Sequence, residues 1–287
     1  MTRMVQSRSA TRPSEIVSEQ FSLPGRGVQI ALDRVVADNP VGSVLLVHGY
    51  TGSKEDFSPV LPLFAQAGYS AYAFDQRGQY ESKAEGPFSL DSWADDVAAL
   101  AQNLPGHQPD SPLHLVGHSL GGLVVTRAGI RSADLWSSIT LLCSGPGGHG
   151  EAAGLRLMIE ALAQYDLAEV HRRKRLVELA DGSVIGEPDA EAFLQHRFVS
   201  GNAEALSQMS TVLIETPDEV DALRATEVPV HVVYGERDAA WPQELQDEMA
   251  RRLGTASVVI PDADHSPAIE QPWSTVEALV SLFAAGR

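Results

Sequence analysis

A serine set between glycines, in Gly117-His118-Ser119-Leu120-Gly121-Gly122, has the G-x-S-x-G form of a nucleophile able to attack a carbonyl carbon. The glycines allow a strained turn and keep bulk away from the serine oxygen. Serine alone is a weak nucleophile at neutral pH, so a base must take its proton and a third group must orient that base.

Two downstream segments supply those groups. Gly235-Glu236-Arg237-Asp238 follows one apolar run, and Asp262-Ala263-Asp264-His265-Ser266 follows another. Loops at the carboxyl ends of parallel strands open on one side of a sheet, where active sites form. Asp238 is therefore the expected orienting acid and His265 the expected general base. Glu236 is the nearest rival for the acid role, and the competing reading of Asp238 is a helix-start carboxylate ahead of Trp241-Pro242. Cys143-Ser144-Gly145, after the preceding apolar run, offers no acid.

Of the nine histidines, His265 alone lies in a loop after the last strand pattern. His118 adjoins the serine, but consecutive side chains on a sharp turn diverge, so it reads as structural. His114 reads as packing, His107 as a surface-loop residue, and His149 as a loop residue or a substrate contact.

A developing alkoxide needs two N–H donors. One is expected from Leu120, the residue after the serine. The other is expected from Tyr50, in the glycine-rich segment His48-Gly49-Tyr50-Thr51-Gly52-Ser53.

These side chains need a scaffold. Residues 43–47, 70–74, 113–116, 138–142, 228–234 and 256–260 form short apolar runs, and 28–36 alternates apolar with polar residues. Between them lie helical patterns at 56–67, 92–104, 123–130, 243–253 and 269–284. Buried strands alternating with helices predict a parallel sheet covered on both faces. The rhythm breaks after Ser144-Gly145-Pro146-Gly147-Gly148. From there to about Leu223 only helical periodicity appears, as in Leu155, Met158, Ile159 and Leu162, which predicts a helical insertion over the sheet.

The domains expected are a flexible arm over 1–20, a core from 21–148 and 224–287, and a helical cap over 149–223. Such a chain, 287 residues long and 44% hydrophobic, can bury a sizeable core without staples. Its one cysteine, Cys143, permits neither an intrachain disulfide nor a thiolate metal site, and reads as a buried strand residue. No His/Asp/Glu cluster has metal-ligand spacing, so no metal is expected.

The net charge of −17 argues against nucleic acid or an anionic membrane as partner. The one basic run, His171-Arg172-Arg173-Lys174-Arg175, reads as the wet face of a helix. The polar first 20 residues lack the apolar core of a secretory signal, and no stretch approaches the roughly 20 apolar residues of a membrane span. A cytoplasmic protein is the expectation; its oligomeric state is not legible.

Together these residues resemble the α/β-hydrolase superfamily from about Val28 to the C-terminus, most closely its esterase and monoacylglycerol-lipase-like branches. The resemblance rests on His48-Gly49-Tyr50, Asp75-Gln76-Arg77-Gly78, Gly117 to Gly122, Asp238 and His265. It implies an α/β fold with an eight-stranded, mostly parallel sheet, a helical cap after the sixth strand, and hydrolysis without a cofactor. In one place the chain departs from the pattern: relatives usually read D-x-R-G-x-G-x-S, whereas Tyr80 here takes the place of the second glycine.

The expected activity is hydrolysis of a carboxylic ester, a small to medium hydrophobic small molecule, through an acyl-enzyme. A lactonase, a carbon–carbon bond hydrolase or a perhydrolase would use the same triad. Dehalogenase and epoxide-hydrolase chemistry would require aspartate at the position of Ser119. A small-molecule sensor with slow or no turnover is the alternative of another class.

Overall fold

Short, wholly apolar segments can satisfy their backbone only by pairing with one another, and here they build the centre of one sheet. A computed structural model describes residues 15–150, 152–180 and 186–285. The first half of the chain forms β1 (Val17–Leu23), β2 (Val28–Val35), β3 (Gly42–Val47), α1 (Leu61–Gln66), β4 (Tyr69–Phe74), α2 (Leu90–Ala101), β5 (Leu113–His118), α3 (Leu120–Arg131) and β6 (Ser138–Leu142). A run of helices follows: α4 (Ala153–Gln164), α5 (Leu167–Ala180), α6 (Pro188–Val199), α7 (Ala203–Glu215) and α8 (Val220–Arg224). The chain then returns to the sheet through β7 (Val230–Gly235), α9 (Gln243–Leu253), β8 (Ser257–Ile260), α10 (Pro267–Glu270) and α11 (Pro272–Ala285).

The strands lie in the order β1-β2-β4-β3-β5-β6-β7-β8. β1 and β2 run antiparallel to their neighbours, and every pairing from β4 to β8 is parallel. This is the α/β-hydrolase architecture that the resemblance implies. Every residue of β3, β4 and β6 is buried, as a strand covered on both faces must be. From β3 the chain steps to β4 on one side, and β5 lies on the other. Loops leaving β3 and β5 therefore diverge at a topological switch point, the place where open α/β sheets bind ligands.

Three local readings change. Residues 17–20, expected in a flexible arm over 1–20, form the first part of β1; residues 1–14 of that arm lie outside the described residues. Only Leu23 of β1 is buried, so this edge strand is held by its backbone ladder to β2 and by the Arg34–Glu19 ion pair at 2.7 Å, and it carries little apolar signal. The helix expected over 56–67 is a 3-10 turn at Lys54–Phe57 followed by α1, whose first turn holds Pro62. The closing helix over 269–284 is divided into α10 and α11 at Pro272, because proline lacks the N–H that an uninterrupted helix would use there.

The helices between β6 and β7 are anchored at both ends of the excursion. Gly148 N–H donates to Thr216 O at 2.7 Å, His149 N–H to Leu213 O at 2.6 Å, and Glu219 N–H to Pro146 O at 3.0 Å. Ala205, Met209 and Leu213 of α7 join the main core, while Leu162, Val170, Phe198 and Leu206 form a second, smaller cluster. Tyr50, from the loop after β3, packs against both. Among the described residues no helix is long and apolar enough to cross a membrane.

Candidate active site

Ser119 sits between β5 and α3 with φ 54° and ψ −120°, a conformation that strains a side-chain-bearing residue. The turn is tightly held: Ser119 N–H donates to Leu142 O at 3.0 Å, and Ser119 O accepts from Gly122 N–H and Ser144 Oγ, each at 2.8 Å. Close approach explains Gly121, since a Cβ there would lie 2.3 Å from Val47 O at the end of β3. Elbow and β3 loop are thereby pressed together.

β7 delivers Asp238 and the loop after β8 delivers His265. His265 Nδ1–H donates to Asp238 Oδ1 at 2.9 Å, with both residues buried. Because the carboxylate can only accept, the proton belongs on Nδ1, and Nε2 of the neutral ring is left as the acceptor. Asp238 also receives Ala240 N–H at 2.9 Å and Gln246 Nε2–H at 3.1 Å. Burial alone would raise the Asp238 carboxyl, but the hydrogen bond and charge of His265 together with these donors hold it below its ordinary value. Glu236, the rival acid, instead accepts Asp262 N–H at 3.0 Å.

The two expected oxyanion donors come from adjoining segments, since a Cβ on Gly49, the residue before Tyr50, would lie 3.1 Å from the Cβ of Ser119, the residue before Leu120. Leu120 opens α3, so its N–H has no acceptor within the helix. Tyr50 N–H makes no backbone hydrogen bond among the described residues. The Tyr50 side chain reaches the helical insertion: its hydroxyl donates to Ser210 Oγ at 2.7 Å, and Ser210 donates onward to Leu206 O at 3.0 Å. Burial pushes the Tyr50 hydroxyl up to about 12.

Beneath this loop His48 is completely buried. Nδ1–H donates to Gly49 O at 2.8 Å, Nε2 accepts Gln76 N–H at 3.1 Å, and Gln76 Nε2–H donates to His48 O at 2.8 Å. Burial lowers its pKa to about 4, so the ring is neutral. This pairing ties the His48-Gly49-Tyr50 loop to the Asp75-Gln76-Arg77-Gly78 segment. In that segment buried Lys54 meets Asp75 at 3.0 Å and Glu81 at 2.6 Å. Tyr80, which takes the place of the second glycine of the expected pattern, adopts a left-handed backbone with φ 41°. Its ring meets the edges of Phe193 and His196 on α6, with centroids 6.0 and 5.8 Å away.

The other histidines divide as follows. His118 Nε2–H donates to His265 O at 2.6 Å, and His114 binds Ser138 Oγ at 2.7 Å while stacking on Phe283. His107 meets Ser43 Oγ at 2.9 Å. His149 stacks on Trp241 with centroids 3.7 Å apart.

Ser119, His265, Tyr50, His149 and Trp241 all face one cavity of about 710 Å³. Arg197 and Lys174, neither of them a candidate from the sequence, also line it. The basic run is thus only partly a wet face: Arg172 and Arg173 pair with Glu169 in solvent, whereas His171 is buried near Phe198. Helical periodicity assigns residues to faces but cannot say which neighbour a face meets.

One trio among the described residues, His118, Cys143 and His265, brings potential metal-ligand atoms within 4.8 Å of one another. His118 Nε2 and His265 Nδ1 are already engaged, and burial followed by the Asp238 charge raises the Cys143 thiol well above its ordinary value. A thiol held protonated in this way is a poor metal ligand, since the thiolate is the form that binds.

The family model described as the alpha/beta hydrolase family matches residues 44–279. A pimeloyl-acyl-carrier-protein methyl ester esterase of Neisseria meningitidis serogroup C is 26% identical over 262 residues, covering 88% of this chain and 95% of that protein. A monoacylglycerol lipase of Mycolicibacterium smegmatis is 28% identical over 226 residues, covering 75% of this chain and 77% of its own. Among solved structures, a thermophilic esterase from Thermogutta terrifontis superposes with a TM-score of 0.74 at 22% identity, covering 95% of this chain and 99% of that one; that likeness is one of fold. With the family match spanning most of its length, and the fold the one that family shares, this chain belongs to the alpha/beta hydrolases.

Proposed function

We propose that the protein hydrolyses a carboxylic ester of a small to medium, largely hydrophobic molecule through an acyl-enzyme on Ser119. The observation that carries this reading is the buried 2.9 Å His265–Asp238 hydrogen bond, opening on the same cavity as a serine in a strained elbow. Residues 149–223 act as a cap on a core formed by 21–148 and 224–287. The esterase and lipase named above support ester substrates over other acyl derivatives.

In the first half-reaction His265 Nε2 takes the Ser119 hydroxyl proton as Oγ bonds to the ester carbonyl carbon. Tyr50 and Leu120 N–H groups hold the resulting oxyanion, each worth about 10²–10³ in kcat. Collapse breaks the C–O bond to the alcohol, which leaves with the proton from His265. Water then attacks the acyl-enzyme, giving its proton to His265, and Ser119 departs with that proton as the acid is released. Asp238 holds the ring in the required tautomer and stabilises the imidazolium.

The test is hydrolysis of p-nitrophenyl esters from acetate to palmitate by wild type and Ser119→Ala in parallel. Turnover that disappears in the variant is the expected result, with the chain-length profile reporting the cavity. Absence of wild-type turnover on every ester overturns the reading in favour of lactone or carbon–carbon substrates, or of a sensor.

A further inference from the structure

We propose, building on the ester-hydrolase reading, that the substrate of this site carries a free carboxylate, held by Arg197 and Lys174. The chain has a net charge of −17, yet two cations from successive helices converge on the wall of its largely apolar cavity. Arg197 projects from α6 and Lys174 from α5, against a single carboxylate among the described residues of the lining, that of Asp56.

Arg197 is only 5% exposed, and burying a guanidinium is costly unless its donors are used. Here they are used sparingly. Nη1 meets Asp56 Oδ1 at 2.7 Å and Ser53 Oγ at 3.4 Å, while Nε and Nη2 make no hydrogen bond among the described residues. The Phe193 ring lies 5.4 Å from the guanidinium centre and helps hold its plane. A planar fork with donors in reserve is suited to a second carboxylate.

Lys174 adds a point charge. Its partner Glu178 lies four residues along the same helix and does not line the cavity, and Glu178 is also held by Arg175 at 2.7 Å. Among the described residues the cavity wall therefore carries two positive charges and one negative. An ester at Ser119 with a carboxylate elsewhere on the molecule satisfies both ends, and Trp241, Leu155, Leu213 and Ile269 accommodate the apolar part.

The experiment uses matched charged and neutral esters. p-Nitrophenyl hydrogen adipate against p-nitrophenyl hexanoate places the charge on the acyl side; 4-acetoxybenzoate against phenyl acetate places it on the alcohol side. Wild type, Ser119→Ala, Arg197→Gln and Lys174→Met are compared by kcat/KM. The expected result is a preference of about tenfold or more for the charged member of one pair, with that ratio falling about tenfold in each cation variant, mainly through KM. Arg197→Gln also removes the Asp56 contact, so Lys174→Met, which leaves Glu178 paired with Arg175, is the decisive variant. Ser119-dependent hydrolysis with no preference in either pair, or a preference that Lys174→Met leaves intact, overturns the carboxylate proposal alone. No Ser119-dependent hydrolysis of any of the four esters overturns the ester reading beneath it.

Discussion

His118 Nε2–H donates to the main-chain carbonyl of His265 at 2.6 Å, so the residue before the candidate nucleophile holds the backbone of the candidate base. Burial is the main cause that lowers His118 to about 4, leaving it a neutral donor near pH 7. His118 and Ser119 line the same cavity, and the first steadies the loop that carries the candidate base.

Replacing His118 by Ala removes this hold on the His265 loop. Misplacing a catalytic group by about 1 Å can cost on the order of 10² in rate, so kcat should fall about ten- to a hundredfold with KM little altered. Steady-state kinetics decide it: an unchanged kcat would make the bond incidental.

Asp238→Asn keeps size and shape but can donate where His265 Nδ1–H needs an acceptor, favouring the wrong tautomer. A fall in kcat of about 10⁴ is expected, with the circular dichroism spectrum preserved. Near-normal turnover would transfer the orienting role elsewhere, with Glu236 the first residue to try.

Tyr50 joins the loop after β3 to α7 through Ser210 at 2.7 Å. Tyr50→Phe should cost about 1 kcal/mol of stability, a typical net hydrogen-bond contribution, and lower kcat more than it alters KM. If the bond acts by positioning Tyr50 N–H, Ser210→Ala lowers kcat similarly and the double variant is no worse than either single one. Additive losses would assign the two hydroxyls separate roles.

His48 makes stability depend on pH. Unfolded, its imidazole titrates near 6.5; folded, burial lowers it to about 4. Between those values the unfolded chain binds the extra proton, so the stabilisation is fully present above pH 6.5 and is lost as pH falls toward 4. For full burial the loss is on the order of 3 kcal/mol. A proton on Nε2 would also face Gln76 N–H, which now donates to it. Urea unfolding of wild type and His48→Gln at pH 7, 5.5 and 4.5 should show the wild-type advantage shrinking with acidity. A constant difference would rule out this titration.

The parts of the fold written in apolar runs were legible before any coordinates. β3, β4 and β6 are buried along their whole length, and nothing but a doubly covered strand asks for that pattern. The start of β1 was not, because Val17, Ser18 and Gln20 are exposed and the strand is held by backbone pairing that composition does not record. At the site, segment order pointed to His265 and to Asp238 with Glu236 as its rival, and the structure places His265 and Asp238 2.9 Å apart. Arg197 and Lys174 gave no such signal: they are charged residues on helices, and only the packing of α5 and α6 brings them to the cavity wall. Tyr80 was visible as a departure, but its left-handed backbone and its contacts with α6 follow from tertiary packing.

Cys143, the single cysteine, is wholly inaccessible to solvent beside the candidate triad. A maleimide dye will therefore pass over the native thiol while reacting with any cysteine engineered onto an exposed position of α4 or α5, such as Leu157 or Val177. The unaltered protein is in effect already a labelling-silent background, so fluorescence can follow those two helices during turnover without first removing a residue from the neighbourhood of His265.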